Sequence, residues 1–399
     1  MDVRPPFERG NASLRLVDLF AGCGGLTLGV AQACRNQDVA LDVRLAVDFE
    51  ESATLVYGEN FPDAVVENKS IDDFVDGKLG KNLTRAEQDA LEAAGDVDLL
   101  VGGPPCQGHS DLNNHTRRDD PKNAYYARMA RAAEVLEPST IVIENVPTVR
   151  HDVGKAVDVT TEHLRKLGYK VDSKTIGLHA LGVAQKRKRH VLLATKLAEL
   201  DPTKILDELA GRSVAGAPDL KWAIGDLADL KDPVGYDVPP RASDANLKRM
   251  KYMLRYKQWD LPNSRRPVCH QDDHSYKSMY GRLRWDSPAQ TITSGFGSIG
   301  QGRYMHPSLA RALTPHEAAR IQGFPDYFDF AAVAKRADLA TMIGNAVPPA
   351  LMREIGGHVV GALLARIEPN EEVTPPSAMP YEDEQVASGP EEFTLAPAV

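Results

Sequence analysis

A cysteine in a polar loop stiffened by proline is the first residue that can do covalent chemistry. Cys106 follows Pro104 and Pro105 in the segment GGPPCQGHS, residues 102–110. A cysteine that serves only packing usually lies in an apolar periodic run, whereas this polar, turn-rich setting is typical of a nucleophilic thiol. The polar stretch 111–120 fits a loop that closes over a substrate. We therefore predict Cys106 to be a catalytic nucleophile, with a packing role as the alternative.

An acid at the end of an apolar run is the second candidate. Glu144 follows three aliphatic residues in the segment IVIENV, residues 141–146. Burying a carboxylate is costly unless it has a partner or a chemical task. Burial would raise its pKa, so that Glu144 can hold a proton and donate it to a ring nitrogen. A purely structural ion pair is an equally open interpretation.

A run of cations, QKRKRH at residues 185–190, leads into the next apolar segment. If the run is extended, its period of two places Gln185, Arg187 and Arg189 on one face and Lys186 and Lys188 on the other. The two guanidinium groups can then pair with a carboxylate, a phosphate or a carbonyl oxygen. The alternatives are a solvated basic patch and a localisation signal.

Glycines between a strand and a helix indicate a ligand that approaches the backbone. The segment DLFAGCGG, residues 18–25, holds Gly22 and Gly24 but lacks the full GxGxxG spacing. Asp48 ends the next apolar run, where an acid can bind a ribose diol, and Phe49 beside it can stack on adenine. These residues favour an adenosine cofactor over a tight turn without a ligand.

The elements that position these residues alternate between short apolar runs and helical patterns, which predicts a doubly wound parallel α/β sheet. A crossover helix is expected over 123–137, where apolar residues recur at helical spacing before Pro138. Another helix should open at Thr314 with a capping box completed by Glu317. The predicted strands are Leu14–Phe20, Asp42–Asp48, Val97–Gly102, Ser139–Val146 and His190–Thr195.

Charge is distributed unevenly along the 399 residues, whose formal net charge is -9. The tail 367–399 holds eight acidic and no basic residues, and we expect it to be disordered. Residues 241–303 hold twelve Lys and Arg against five Asp and Glu, interleaved with aromatic residues. Basic and aromatic residues together are typical of nucleic-acid binding, although charged runs are often just solvated.

Several classes of protein are excluded by the composition. A 42% hydrophobic fraction supports a folded core, and no apolar run reaches the roughly 20 residues of a membrane span. The first ten residues lack the apolar stretch of a secretory signal. The four cysteines lie far apart, without the CxxC pairs of a zinc site. We therefore expect a protein of the reducing cytoplasm with neither disulfides nor a metal.

Taken in order, the motifs resemble those of the DNA (cytosine-5) methyltransferase family of prokaryotes and phages, and the resemblance covers about 14–366. The matching segments are DLFAGCGG at 18–25, GPPCQG at 103–108, ENV at 144–146, QKRKR at 185–189, RIQGFPD at 320–326 and GNAVPP at 344–349.

The resemblance implies a Rossmann-like fold that binds S-adenosylmethionine and a cytosine flipped out of DNA. The cofactor residues that it implies are Phe20, Gly22, Gly24, Asp48, Phe49 and Asn345. In the reaction it implies, Cys106 attacks C6, Glu144 contacts N3 and N4, and Arg189 contacts O2 with support from Arg187. The catalytic domain would span 12–228 and 306–366, and residues 229–305 would form a target-recognition domain.

Within that recognition region, two segments are similar to the family's base-recognition loops. This similarity predicts DNA contact by four residues, Arg282, Arg284, Thr291 and Thr293. Two departures from the family pattern stand out. His109 replaces a more usual phenylalanine, and the third motif is weak, with residues 70–72 as its counterpart.

The expected partner is double-stranded DNA, without membrane attachment, and the expected state is a monomer, with a companion restriction endonuclease encoded elsewhere. Three alternatives remain: a transfer-RNA cytosine methyltransferase, a catalytically silent DNA-binding regulator, and a nicotinamide dehydrogenase. The basic region and the absence of a Cys-Phe-Thr signature favour DNA over RNA, and the presence of Cys106 and Glu144 disfavours a silent regulator. A dehydrogenase explains neither the PPC segment nor the arginine strand.

Overall fold

A central sheet organises the computed structural model, which describes residues 3–105, 124–152, 154–271 and 278–366. The sheet has the strand order β3-β2-β1-β4-β5-β7-β6. Its strands are β1 (Ala12–Leu19), β2 (Val39–Asp48), β3 (Val66–Asn68), β4 (Leu99–Gly102), β5 (Thr140–Asn145), β6 (Lys170–Gly177) and β7 (Lys188–Thr195).

The helices of the described chain cover both faces of this sheet and continue beyond it. They are α1 (Gly25–Asn36), α2 (Glu51–Asn60), α3 (Arg85–Ala94), α4 (Ala124–Leu136), α5 (Ala156–Lys166), α6 (Pro202–Gly211), α7 (Leu220–Ile224), α8 (Asp244–Arg255), α9 (Pro315–Ile321), α10 (Arg336–Asn345) and α11 (Ala350–Leu364). None of these helices is long and apolar enough to cross a membrane.

The five predicted strands are confirmed, with ends that move by a few residues. Two strands were not predicted. They lie at the two edges of the sheet, where a strand has a neighbouring strand on one side only. The strand β3 has three residues, none of them buried, and β6 (KVDSKTIG) has only Ile176 fully buried. Neither segment contains the continuous apolar run that marks a central strand of such a sheet.

The predicted parallel sheet is confirmed with one exception, the strand β7. The strands β1 to β5 pair in parallel, but β7 runs antiparallel to both β5 and β6. This reversal brings the amino end of β7 to the edge where the parallel strands have their carboxyl ends. A parallel β7 would have carried its preceding basic run to the opposite edge.

Two apolar layers enclose the sheet. On one side, α1 and α11 pack closely together, and α6 and α7 extend this layer. On the other side, α4 and α5 pack on alternate residues of the same strands. The predicted crossover helix is confirmed as α4, with Tyr126, Met129 and Ala133 buried and Pro138 just past its end.

A buried ion pair fixes α4 against the preceding segment. The guanidinium of Arg131, almost fully buried, donates from Nε and Nη2 to the two carboxylate oxygens of Glu87, at 2.8 and 2.6 Å. The arginine also donates to the carbonyls of Lys81 and Asn82. Since breaking such a pair leaves an uncompensated buried charge, this contact holds α4 and α3 in one arrangement.

A smaller apolar cluster lies outside the main layers and includes Met250 and Met253 of α8, Tyr280 and Met305. The chain then returns to the sheet through α9, whose predicted capping box is confirmed. The hydroxyl of Thr314 accepts from the Glu317 N–H, and the Glu317 carboxylate accepts from the Thr314 N–H. Residues 241–312 thus contribute a second apolar core, separate from the two layers on the central sheet.

His190 makes the stability of the fold depend on pH. It is fully buried in β7 between Asn145 of β5 and Thr175 of β6, and neither ring nitrogen has a hydrogen-bond partner among the described residues. Burial, with the nearby charge of Arg150, lowers the pKa of His190 from 6.5 to about 4. As the pH falls below 6.5, the unfolded chain therefore takes up a proton that the folded protein does not bind.

We expect His190→Val to remove this dependence. Relative to wild type, the variant should gain about 2 kcal/mol in the free energy of unfolding between pH 7 and pH 5. Urea unfolding at the two pH values measures the difference. If the variant and wild type differed in unfolding free energy by the same amount at both pH values, the assignment would be contradicted.

Candidate active site

The candidate site lies along the edge where β1, β2, β4 and β5 have their carboxyl ends. Open α/β sheets bind ligands at this edge, because the loops that leave the strands there surround a crevice. The segment 20–24 leaves β1, Asp48 ends β2, Gly103 follows β4, and Glu144 lies at the end of β5. The antiparallel β7 adds Arg189 to the same edge.

Asp48 joins the glycine loop to the end of β2. Its Oδ2 accepts a hydrogen bond from the Gly22 N–H at 2.8 Å, and its Oδ1 accepts one from the Glu50 N–H at 2.9 Å. Burial raises the pKa of Asp48, and these backbone donors oppose the shift. The neighbouring Phe49 is 62% exposed, which leaves its ring accessible beside the carboxylate.

Asp18 is a buried acid whose role the sequence analysis missed. Its Oδ2 accepts from the Thr27 hydroxyl at 2.7 Å, whereas Oδ1 is buried without a hydrogen-bond partner in the described chain. Burial raises the pKa of Asp18 to about 7. An orphaned acceptor beside a glycine loop is costly without a ligand, which makes Asp18 a candidate for the site.

The cofactor residues fit the polar groups of S-adenosylmethionine. Gly22 has a φ of 54°, and a Cβ there would meet nothing within 4 Å, so the loop leaves space for a ligand. No side chain caps the start of α1 at Gly24, which leaves its amino-terminal N–H groups suited to a carboxylate. Asp18 and Asp48 carry acceptors of the kind that an ammonium group and a ribose diol require.

Glu144 and Arg189 form an ion pair at the carboxyl edge. The distance from Arg189 Nε to Glu144 Oε1 is 2.5 Å, and both side chains are largely buried. Glu144 pairs directly with Val191, and Arg189 lies two residues away on the same face of β7. Burial raises the pKa of Glu144, and the charges of Arg189 and Arg187 reduce that rise.

The loop that carries Cys106 begins next to this acid. A Cβ on Gly103 would lie 3.2 Å from Glu144 Oε2, and Asn145 Nδ2 donates to the Pro104 carbonyl at 3.3 Å. Cys106 lies outside the described residues, as do His109 and the polar stretch 111–120. The contacts at Gly103 and Pro104 therefore fix where the loop starts.

The basic run has the predicted alternation, with Gln185 and Arg187 buried and Lys186 and Lys188 exposed. The two guanidinium groups have partners of the predicted kinds, a carboxylate for Arg189 and backbone carbonyls for Arg187. Arg187 Nη1 donates to the carbonyls of Ile292, at 2.8 Å, and Gly344, at 3.3 Å. Because its guanidinium donates to both of these carbonyls, Arg187 connects three distant parts of the chain.

The late segment GNAVPP, residues 344–349, packs against two other parts of the chain. The Val347 carbonyl would lie 2.4 Å from a Cβ on Gly25, so this segment rests on the start of α1. A Cβ on Gly344 would come within 2.1 Å of the Ser294 nitrogen, which only glycine permits. Asn345 is exposed at the end of α10, beside these contacts.

Two of the four residues predicted to contact DNA, both arginines, lie against an exposed tryptophan. The guanidinium carbons of Arg282 and Arg284 lie 4.5 and 4.6 Å from the centre of the Trp259 ring. Arg282 donates to the Pro307 carbonyl, and Arg284 pairs with Asp286. These contacts restrict the arginines, because cation–π contacts and hydrogen bonds fix long side chains.

The two predicted threonines are partly engaged within the protein. The Thr293 hydroxyl is hydrogen-bonded to the Tyr304 hydroxyl at 2.8 Å, and the Thr291 carbonyl accepts from the same tyrosine at 3.1 Å. A role of these two residues in DNA contact stays a prediction.

Comparison with known proteins gives a consistent result. Residues 14–361 match the family model described as C-5 cytosine-specific DNA methylase. The chain is 43% identical over 362 residues to the type II methyltransferase M1.BsuMI of Bacillus subtilis, covering 90% of this chain and 83% of the relative. It is 32% identical to the type II methylase M.HgiDII of Herpetosiphon aurantiacus, covering 86% of this chain and 94% of that one.

A solved structure shares the fold at lower identity. The structure of a proposed DNA modification methyltransferase encoded within a prophage, from E. coli, aligns with a TM-score of 0.60 and 23% identity. The alignment covers 88% of this chain and 99% of that structure. The two proteins thus share a fold over most of this chain.

We expect Arg187→Gln to destabilise the fold strongly. The substitution removes a buried cation that donates to the carbonyls of Ile292 and Gly344, and the cost should be about 3 kcal/mol in the free energy of unfolding. Chemical unfolding measures this loss. The exposed neighbour provides the control, since Lys186→Gln should change stability by less than about 0.5 kcal/mol. Equal effects of the two variants would refute the connecting role.

Proposed function

The chain belongs to the C-5 cytosine-specific DNA methylase family and is a DNA (cytosine-5) methyltransferase, and on this premise we propose how its residues carry out the reaction. The target cytosine, turned out of double-stranded DNA, lies at the carboxyl edge between Glu144 and the loop that starts at Gly103. The observation that supports this placement most directly is the buried Glu144, whose pKa is raised by burial beside Arg189.

S-adenosylmethionine supplies an electrophilic methyl group when it is bound. Asp48 accepts from the ribose hydroxyls, Phe49 stacks on the adenine, and the N–H groups at the start of α1 bind the carboxylate. Asp18 provides the additional acceptor near the ammonium group. The proposed cofactor set is Phe20, Gly22, Gly24, Asp48, Phe49 and Asn345, joined by Asp18.

Activation of the base requires a nucleophile and an acid, because C5 of cytosine is a poor nucleophile. The Cys106 thiolate forms a bond to C6, and the displaced electron pair makes C5 electron-rich while Glu144 supplies a proton to N3. C5 then forms the bond to the methyl carbon as the methyl–sulfur bond breaks, and S-adenosylhomocysteine is the leaving group. Loss of the C5 proton to solvent, cleavage of the C6–S bond and return of the N3 proton to Glu144 restore the aromatic base, the thiolate and the acid.

Two arginines support this step in different ways. Arg189 steadies Glu144 through the ion pair and presents its guanidinium to O2 of the base. Arg187 is a positioning residue, because its guanidinium is bonded to the carbonyls of Ile292 and Gly344. Both effects are stronger in this buried environment, because charges attract one another more strongly at a low dielectric than in water.

We further propose that residues 12–228 and 306–366 form the catalytic domain and that residues 229–305 recognise the DNA sequence. In this proposal, Arg282, Arg284, Thr291 and Thr293 contact the duplex, and the protein works as a monomer. The similarity to two type II methylases favours a companion restriction endonuclease encoded elsewhere.

We expect Cys106→Ala to abolish methyl transfer and Glu144→Gln to lower kcat by at least about a hundredfold. Incorporation of labelled methyl groups into DNA measures the rate, and bisulfite sequencing of the host DNA identifies the modified base and site. Cys34→Ala is the control, because Cys34 is buried in α1 away from the proposed reaction, and it should retain turnover. Turnover by Cys106→Ala, or a label on RNA or on an exocyclic amine, would refute the mechanism.

We expect Asp48→Asn to weaken cofactor binding by about tenfold, because a neutral amide loses the charge-assisted hydrogen bonds to the ribose. Calorimetry with S-adenosylhomocysteine measures the dissociation constant without turnover. Asp42→Asn is the matched control on the same strand, where the acid pairs with Arg44. Equal affinity of the two variants would remove Asp48 from the cofactor site.

A further inference from the structure

One face of α8 carries cations that are separate from the predicted base-contacting residues. Lys248, Lys251 and Arg255 are all exposed, and their spacing of three and four residues places them on one side of the helix. Met250 and Met253 are buried on the other side, against the small apolar cluster. The packing therefore fixes which side of α8 faces solvent.

These three cations lack acidic partners in the described part of the chain. Some exposed cations on other helices have them, as in the pairs Lys166–Glu162 and Arg85–Asp89. Among the described acids that follow α8, Asp260 pairs with Arg303 and Asp286 pairs with Arg284. Asp244 lies on the same side of α8, four residues before Lys248, and reduces the charge of this face by one without forming an ion pair with Lys248 in the described chain. Like charges along one face repel one another, so this face is suited to a polyanion.

Favourable interaction with the helix dipole explains the position of only some of these cations. A cation in the last turn, such as Arg255, is stabilised by the helix carboxyl terminus. Lys248 lies in the first half of α8, where the dipole offers no such gain. The helix dipole therefore does not account for Lys248.

Aromatic contacts extend the basic surface beyond the helix. The Arg265 guanidinium lies 3.9 Å from the centre of the Tyr252 ring, and Tyr252 packs against Tyr256 with ring centres 4.6 Å apart. The chain then continues to Trp259, against which Arg282 and Arg284 lie. The α8 cations are thus continuous along the chain with the residues proposed to contact bases.

The dimensions of the face suit a nucleic-acid backbone. Seven residues of helix separate Lys248 from Arg255, which corresponds to about 10 Å, or about three phosphates along one strand. Flexible lysine and arginine side chains on a helix surface bind phosphates without selecting bases.

We propose that Lys248, Lys251 and Arg255 form a phosphate-binding face that holds duplex DNA independently of its sequence. The inference rests on the proposed function, because DNA is the substrate of that reaction. It adds a division of labour in which α8 contributes affinity for any duplex, and the residues around Trp259 contribute the choice of sequence. Neutralising the face should therefore weaken binding to cognate and unrelated DNA alike.

The test is the triple variant K248Q/K251Q/R255Q, with binding measured by fluorescence anisotropy. The probes are a 30-base-pair duplex that carries the site found by bisulfite sequencing and a duplex of equal composition without it. The dissociation constants for both should rise by the same factor, about tenfold or more, and the slope of log Kd against log salt should fall by about 2 to 3. The affinity for S-adenosylhomocysteine and the thermal unfolding should match wild type.

Two further variants make the outcome decisive. K78Q/K81Q/R85Q removes the same charge from exposed residues near α3 and should leave DNA binding unchanged. K248R/K251R keeps the charge and should retain the wild-type salt slope. Unchanged affinity and slope in the triple variant, or a loss confined to the cognate duplex, would overturn the inference. If wild type itself failed to methylate DNA, the proposed function would fall instead.

Discussion

The ion pair between Glu144 and Arg189 is the interaction on which the site depends. A carboxylate at the end of a fully buried strand has lost most of its hydration, and burial alone would favour its neutral form. The guanidinium beside it reduces this shift and fixes the direction of the carboxyl group. The balance suits an acid that must hold a proton and still be correctly oriented toward a base.

This pair exists because one strand runs against the others. The antiparallel β7 brings Arg189 to the edge where β4 and β5 have their carboxyl ends, so that charges from distant segments meet. Gly103 lies close to the same carboxylate, which places the start of the Cys106 loop there as well. The topology of the sheet therefore assembles the site.

The recognition region is tied to this centre by buried polar contacts. Arg187 bonds the carbonyls of Ile292 and Gly344, and the close approach of Gly344 to Ser294 leaves no room for a side chain. Packed contacts of this kind have few alternative arrangements. The segment proposed to contact DNA and the segment proposed to contact the cofactor are thus held in a fixed position relative to the sheet.

The sequence by itself determined the elements and the chemical types. Continuous apolar runs predicted the five central strands, the capping box predicted α9, and the ordered motifs indicated the family, because these signals are local. The edge strands β3 and β6, the reversal of β7 and the different partners of Arg187 and Arg189 were decided only by tertiary structure. Strand direction and the target of a long side chain depend on neighbours far away in the sequence. The orphaned oxygen of Asp18 became visible for the same reason, since burial is a property of the packed molecule.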